Sequence, residues 1–404
     1  MAVLVINAGS SSVKFTLFQS DGETVQAAGI VERIGFDGTR LKYRGRSQTF
    51  SRPVRVGNAD EAVGCILAAL THPEYGVIQA VEAIRAVGHR VVHGGERLTH
   101  PVVVDPGVKA YLAECARFAP LHNPHHLKGI EACERHMPGA VQVTVFDTAF
   151  HASIPQHAFL YAIPLRYYAE EHIRRYGFHG ISHKYVSEAA LRFLGMPADG
   201  VRMVTCHLGN GCSMTAVADG RSVDTSMGFT PLEGLVMGTR CGDIDPAAVL
   251  FIMEQHGVDP AAMNDLLNKQ SGMLALAGIG SNDLRDVIAA AESGNAQAEV
   301  ALDIFCYRIR KTIGAFAAAM GGLDVLVFTA GIGENSPQVR QRVCAPLGAP
   351  GGFGIVVDPQ KNSLSGSRAR AIQAASSRVA VLVIPTNEEQ EIARETLQLL
   401  AERA

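Results

Sequence analysis

No apolar run in the 404 residues reaches the roughly 18 that a membrane-spanning helix needs. The N-terminus lacks a basic segment followed by a cleavable apolar one, so no leader is expected. An excess of either charge is missing too. Lys and Arg total 36 against 39 Asp and Glu, a net charge of −3. That gives no electrostatic reason to expect nucleic acid or an anionic membrane as partner. Cys65, Cys115, Cys133, Cys206, Cys212, Cys241, Cys306 and Cys344 are scattered, with no C-x-x-C. In a chain this large that favours reduced thiols and a cytoplasmic location over a disulfide framework. Low-complexity linkers and tandem repeats are absent.

What remains is an ordinary globular composition, 47% hydrophobic and 19% charged. The length predicts two domains. Short β-rich runs alternate with amphipathic helical patterns, which argues α/β. Strands are expected at 3–7, 13–18, 86–94, 141–148, 203–209, 213–220, 324–330 and 379–385. Helices are expected at 59–70, 107–118, 182–194, 246–256, 282–292, 296–320, 337–344 and 388–402. Ser182 is a candidate N-cap and Gly195 a stop for the helix between them. A boundary is expected within 148–156, after a strand and around a Pro. This gives domains of 1–150 plus 386–404, with the last helix returning, and 151–385.

The opening stretch VLVINAGSSSVKFTLF stops an apolar run at Asn7, turns through Gly and Ser, and resumes at Val13. Such a turn exposes N–H groups and hydroxyls that suit phosphate oxygens, and Lys14 adds a point charge. A plain Ser-rich hairpin is equally compatible. It is not a Walker A loop: G-x-x-x-x-G-K-[ST] is missing, and a strand follows where that motif needs a helix. LGNGCSMTAV (208–217) echoes AGSSSVKF (8–15), which suggests a duplicated architecture. DVLVFTAGIGENSP (324–337) reads as a buried strand, a Gly-x-Gly turn and a helix start whose N–H groups face the turn. Glu388 opens the last helix, either compensating its dipole or holding Mg²⁺ through water.

Four charged positions stand apart. Arg90 lies in GHRVVHGGE, Asp147 ends a strand in VFDTAFH, His179 precedes a helix in RRYGFHGISH, and Arg240 sits in the Gly-flanked loop GLVMGTRCGDIDP. Singly, each reads as a salt bridge or a cap. Arg240 resists this, having no carboxylate nearby in sequence until Asp243. LHNPHH (121–126) lacks partners at metal-ligand spacing and reads as a loop. Together the features point to phosphoryl transfer, which works by positioning and charge neutralisation.

With INAGSSSVKF, GHRVVHGGE, FDTAFH, RRYGFHGISH, HLGNGCS, DTSMGFTPLEGLVMGTRCGDIDP, FTAGIGENS and TNEEQEIARET in this order, the chain resembles the acetokinase family over essentially its full length. The resemblance implies a duplicated ribonuclease-H-like (actin-like ATPase) fold, with two domains around a central nucleotide cleft, paired as a homodimer. It implies reversible, Mg²⁺-dependent in-line transfer from ATP to acetate, giving ADP and acetyl phosphate, with Mn²⁺ able to substitute. Propionate kinase of the same family is the alternative. By this resemblance Asn7 and Glu388 are the metal positions. Asp147, His179 and Arg240 are catalytic. Arg90 and His122 are acetate-side residues, and Val92, Leu121, Phe178 and Pro231 form the pocket for its methyl group. Ser10, Ser12 and Lys14 form one phosphate turn, and His207, Leu208, Gly209, Asn210 and Gly211 the second. Gly331, Ile332, Gly333, Glu334 and Asn335 form the adenosine-side loop. The family usually reads S-S-D-F-R near the nucleotide. Here Gly280-Ser281-Asn282-Asp283-Leu284-Arg285 has one extra residue and Leu for Phe, and the role is carried to Asp283, Leu284 and Arg285.

Acetate is already ionised at pH 7 and needs no general base. Asp147 is therefore expected to orient an Arg or the hydrated metal. Val92 is bulkier than the Ala that propionate-preferring relatives can carry, which favours acetate. A rival of another class is an ATP-driven binding module on the same fold, which leaves the Arg90 and Arg240 pair unexplained.

Overall fold

A computed structural model describes residues 2–349 and 352–403. The chain forms two compact units, Met1–Phe150 with Asn387–Ala404, and His151–Thr386.

The first unit is built on an eight-stranded sheet. Its strands are β1 (Ala2–Ala8), β2 (Ser12–Gln19), β3 (Val25–Glu32), β4 (Arg40–Arg44), β5 (Thr49–Pro53), β6 (Ile84–Val91), β7 (Val102–Val103) and β8 (Val141–Phe146), in the order β5-β4-β3-β2-β1-β6-β8-β7. β1 to β5 form an antiparallel meander, while β6 pairs parallel to β1 and β8 parallel to β6. β1 is central and buried along its length except at Asn7, which is why it reads as a continuous apolar run. Helix Glu388–Arg403 packs on β1, β6 and β8. Gly88 permits its approach: a Cβ there would come within 2.7 Å of the Ile392 side chain. Helix Asn123–His136 packs on β1 in the same way, with Gly129 against Ala8.

The second unit carries a six-stranded sheet. Its strands are β9 (Arg202–Leu208), β10 (Cys212–Ala218), β11 (Arg221–Thr225), β12 (Val325–Thr329), β13 (Arg370–Ala371) and β14 (Ala380–Val383), in the order β11-β10-β9-β12-β14-β13. β10 pairs antiparallel with β9 and β11, while β12 runs parallel to β9 and β14 parallel to β12. The series β3-β2-β1-β6-β8 and β11-β10-β9-β12-β14 thus share one order and one set of strand directions. The two Gly/Ser turns fall at the same place, between β1 and β2 in one series and between β9 and β10 in the other. This is the duplicated actin-like ATPase fold, and it gives the faint sequence echo a topological cause.

Three local expectations need correction. The helix expected from Ser182 begins at Gly180, with His179 in the cap position at a φ of 56°. The Ser182 hydroxyl bonds His207 Nδ1 and Thr386 Oγ1 instead, each at 2.8 Å. The Gly-x-Gly segment is a short helix, Ala330–Asn335, rather than an open turn. LHNPHH is not all loop: a helix starts at Asn123 with Pro124 in its first turn, where the missing N–H costs nothing.

Candidate active site

In the first unit the parallel strands β6 and β8 bring Arg90 and Asp147 together: Arg90 pairs with Val145, two residues before Asp147. Arg90 Nε donates to Asp147 Oδ1 at 3.0 Å and Nη2 to Oδ2 at 2.7 Å. This is a two-point pair between planar groups, and the Asp147 side chain is only 2% exposed. Arg90 Nη1 lies 3.4 Å from Glu388 Oε2, at the start of the last helix. Burial works against the Arg90 charge, but Asp147 and then Glu388 outweigh it and raise the pKa. Glu388 is pushed up by burial, with Arg90 opposing. His126, the last residue of the LHNPHH stretch and given no role from sequence, donates from Nδ1 to the Arg90 carbonyl at 2.6 Å. Burial, then the Arg90 charge, pushes the His126 pKa down to about 3, so the ring is neutral. His122 occupies the N-cap position of the helix that carries His126, without a side-chain capping bond, and their rings lie 6.5 Å apart. Val92 is buried and Leu121 exposed. Asn7 and Lys14 face each other across the β1–β2 pair, beside the turn holding Ser10 and Ser12.

In the second unit His179, Gly211 and Arg240 converge. A Cβ on Gly211 would sit 3.6 Å from His179 Nε2 and 3.7 Å from Arg240 Nη1. Arg240 Nη1 donates to the Pro231 carbonyl at 2.8 Å, and burial lowers the guanidinium pKa. His179 is a non-glycine residue in the left-handed region, a conformation that persists only where its surroundings impose it. Its ring stacks on His207 at 4.2 Å between centroids. Phe178 is buried behind it and Pro231 is half-buried.

A cavity of about 530 Å³ opens in the same unit. Gly209 and Asn210 line it from the β9–β10 turn, and Gly331, Ile332 and Asn335 from the short helix after β12. Asp283, Leu284 and Arg285 close another side. Asp283 caps helix Leu284–Glu292 and also accepts from Arg285 Nε at 3.0 Å. That hydrogen bond holds the Asp283 carboxyl down at about 2. His207, Leu208, Gly211, Gly333 and Glu334 belong to the same segments but lie outside the cavity wall. Asn282, not singled out by sequence, lines the cavity and donates to Asn210 Oδ1 at 3.3 Å. Arg340 was also missed. It is 1% exposed and clasps the Gly333 and Glu334 carbonyls at 2.8 and 3.0 Å, fixing the short helix. Its only sequence signal is an Arg on an otherwise buried helix side.

A duplicated actin-like fold with a 530 Å³ cavity at its second glycine turn and a carboxylate-gripped arginine defines the class: an ATP-dependent phosphotransferase. The model of the acetokinase family matches residues 2–394. An acetate kinase of Caldicellulosiruptor saccharolyticus is 48% identical over 99% of this chain and all of its own. The crystal structure of Porphyromonas gingivalis acetate kinase superposes with a TM-score of 0.93 at 44% identity, covering 99% of both chains. A propionate kinase from Francisella tularensis gives 0.91 at 39%, covering 98% of this chain and 99% of its own. The chain belongs to the acetokinase family. Among the described residues no helix is long and apolar enough to cross a membrane.

Proposed function

We propose that this protein is an acetate kinase, transferring the γ-phosphoryl group of ATP reversibly to acetate. The observation that carries the reading is the Arg90–Asp147–Glu388 cluster. Asp147 spends both carboxylate oxygens on one guanidinium, so its role is to hold Arg90 in one orientation. Arg90 then meets the acetate carboxylate with its Nη1 end. Two anionic substrates repel each other, and a fixed cation offsets that before reaction. His126 steadies the backbone of the same residue.

His179 and Arg240 are assigned to the equatorial oxygens of the transferring group, where charge spreads in the transition state. Their convergence on Gly211, where no Cβ intervenes, supports this. Removing an Arg of this kind costs on the order of 10³-fold in rate. The 530 Å³ cavity suits a nucleoside, with Asp283, Leu284 and Ile332 on its walls.

Asn7 and Glu388 would hold a Mg²⁺ ion. No group of three His, Cys, Asp or Glu side chains arranged for a metal occurs among the described residues. The donor set is therefore one carboxylate and one amide, leaving water and phosphate oxygens to complete the shell, as Mg²⁺ prefers. When bound, the ion neutralises phosphate charge. We also assign a homodimer to helix Pro246–His256, none of whose residues is buried, with Leu250 and Phe251 about 60% exposed.

The test is ATP-dependent formation of a hydroxylamine-trapped acyl phosphate. Acetate turnover that Arg90→Ala abolishes supports the assignment. ATP hydrolysis with no acyl product from any carboxylate overturns it.

A further inference from the structure

We propose that Thr205, His183 and Ser213 form a hydrogen-bonded chain that fixes the tautomer of the neutral His179 ring, placing its proton on Nε2 as an N–H donor. The proposal rests on the transition-state role given to His179 above.

The geometry is continuous. Thr205 Oγ1 lies 2.7 Å from His183 Nδ1, His183 Nε2 lies 2.7 Å from Ser213 Oγ, and Ser213 Oγ lies 2.8 Å from His179 Nδ1. Thr205, His183 and Ser213 are all 0% exposed. His179 and His183 are one helical turn apart, and Thr205 and Ser213 come from the paired strands β9 and β10. Burial holds the His183 pKa well below its ordinary value, so this ring carries a single proton.

The Ser213 hydroxyl has one proton and faces two ring nitrogens. It donates to one and accepts from the other, because accepting from both would leave its own buried O–H without an acceptor. Only two proton orders satisfy the whole chain. In the first, Thr205 donates to His183 Nδ1, His183 Nε2–H donates to Ser213, and Ser213 donates to His179 Nδ1. The proton of His179 then resides on Nε2. The second order reverses every bond and puts the His179 proton on Nδ1. Thr205 decides between them. In the reversed order the acceptor for its proton is the Thr215 carbonyl at 3.5 Å, the weak limit of a hydrogen bond. In the first order that proton makes the 2.7 Å bond to His183. A buried chain favours the order that wastes no donor.

The consequence falls on His179 Nε2, the atom beside Gly211 and Arg240. With the proton there, the ring donates to a phosphoryl oxygen and needs no second proton. With the reversed order, a lone pair would face an anion. Ser213 and His183 are thus positioning residues that act through His179. Sequence offered one clue, the i, i+4 spacing of two histidines on one helix.

The test is ¹⁵N NMR of histidine-labelled protein without substrates, which does not depend on turnover. In the wild type, His179 Nδ1 is expected at the shift of an unprotonated acceptor and Nε2 at that of an N–H. Thr205→Val removes the deciding hydroxyl, three hydrogen bonds along the chain from His179, and is expected to raise the Nδ1–H population. Ser213→Ala is expected to mix the tautomers and lower kcat on the order of tenfold, the loss of one hydrogen bond, with both KM values held. Ser213→Thr, which keeps the hydroxyl, is expected to restore the wild-type spectrum. A wild-type His179 protonated on Nδ1, or a tautomer unmoved in Thr205→Val and Ser213→Ala, overturns the inference. Failure of the wild type to make acyl phosphate overturns the kinase reading instead and leaves the spectra interpretable.

Discussion

Asp147→Asn separates an orienting carboxylate from a proton-transferring one. The wild-type carboxylate receives two charge-assisted hydrogen bonds from Arg90, at 3.0 and 2.7 Å. Asparagine keeps one acceptor oxygen and turns an N–H₂ toward a guanidinium that is all donors. One bond is lost, worth about 1.5–3 kcal/mol when a charged group takes part. Unpairing one member of a buried ion pair raises the total to about 3–5 kcal/mol. Arg90 is 19% exposed and retains Glu388 at 3.4 Å, which argues for the lower end. Denaturant unfolding should then show a loss of about 3 kcal/mol. A misaimed Arg90 should raise the KM for acetate and lower kcat/KM on the order of 10²-fold. The assay is hydroxamate formation at varied acetate and pH. The pH profile should keep its shape, because no proton moves through Asp147. A shifted acidic limb, with Arg90 and stability unaffected, would refute this account and favour proton transfer.

Val92→Ala should enlarge the acceptor pocket and shift the propionate-to-acetate ratio of kcat/KM toward propionate, by up to the roughly 10–200-fold that one methylene is worth. An unchanged ratio across a substrate panel would remove Val92 from specificity. His89 is 2% exposed, donates to Gln142 Oε1 at 2.8 Å, and is pushed by burial down to about 4. The folded form thus binds fewer protons than the unfolded one below pH 6.5. Stability is present above that value and should fall by about 3 kcal/mol as pH drops toward 4. Urea unfolding across this range should show the slope, and His89→Gln should flatten it. Arg340→Met should leave the first unit intact and raise the KM for ATP severalfold, since the Gly333 and Glu334 carbonyls lose their clasp. A KM for ATP equal to wild type would show that the short helix holds itself.

The elements legible in sequence were those with strong local signals. Helix Ala296–Met320 lies between an Asn295 cap and Gly321 in the left-handed region, and both are visible as residues. β1 and β12 are short apolar runs because both of their faces are covered. The strands β3 to β5 went unread: β4 alternates, with Leu41 and Tyr43 buried, but over only five residues, while β3 and β5 show no regular alternation of buried and exposed positions. The start at Gly180 was hidden because His179, not Ser182, makes the turn, held there by contacts from β10. In the site, residues on recognisable turns could be proposed from the motifs. His126, Ser213, His183, Asn282 and Arg340 could not. Each acts by touching a residue far off in sequence or a helical turn away, and those contacts exist only once the sheets have formed.

The most direct measurement is trapped acyl phosphate formation by the wild-type protein with ATP and Mg²⁺ across acetate, propionate and butyrate. The expected result is the highest kcat/KM with acetate, with propionate slower by the worth of one methylene. A longer acid in first place would contradict the pocket assignment at Val92. No acyl phosphate from any acid would contradict the account at its centre, the use of Arg90 to hold a carboxylate for phosphoryl transfer.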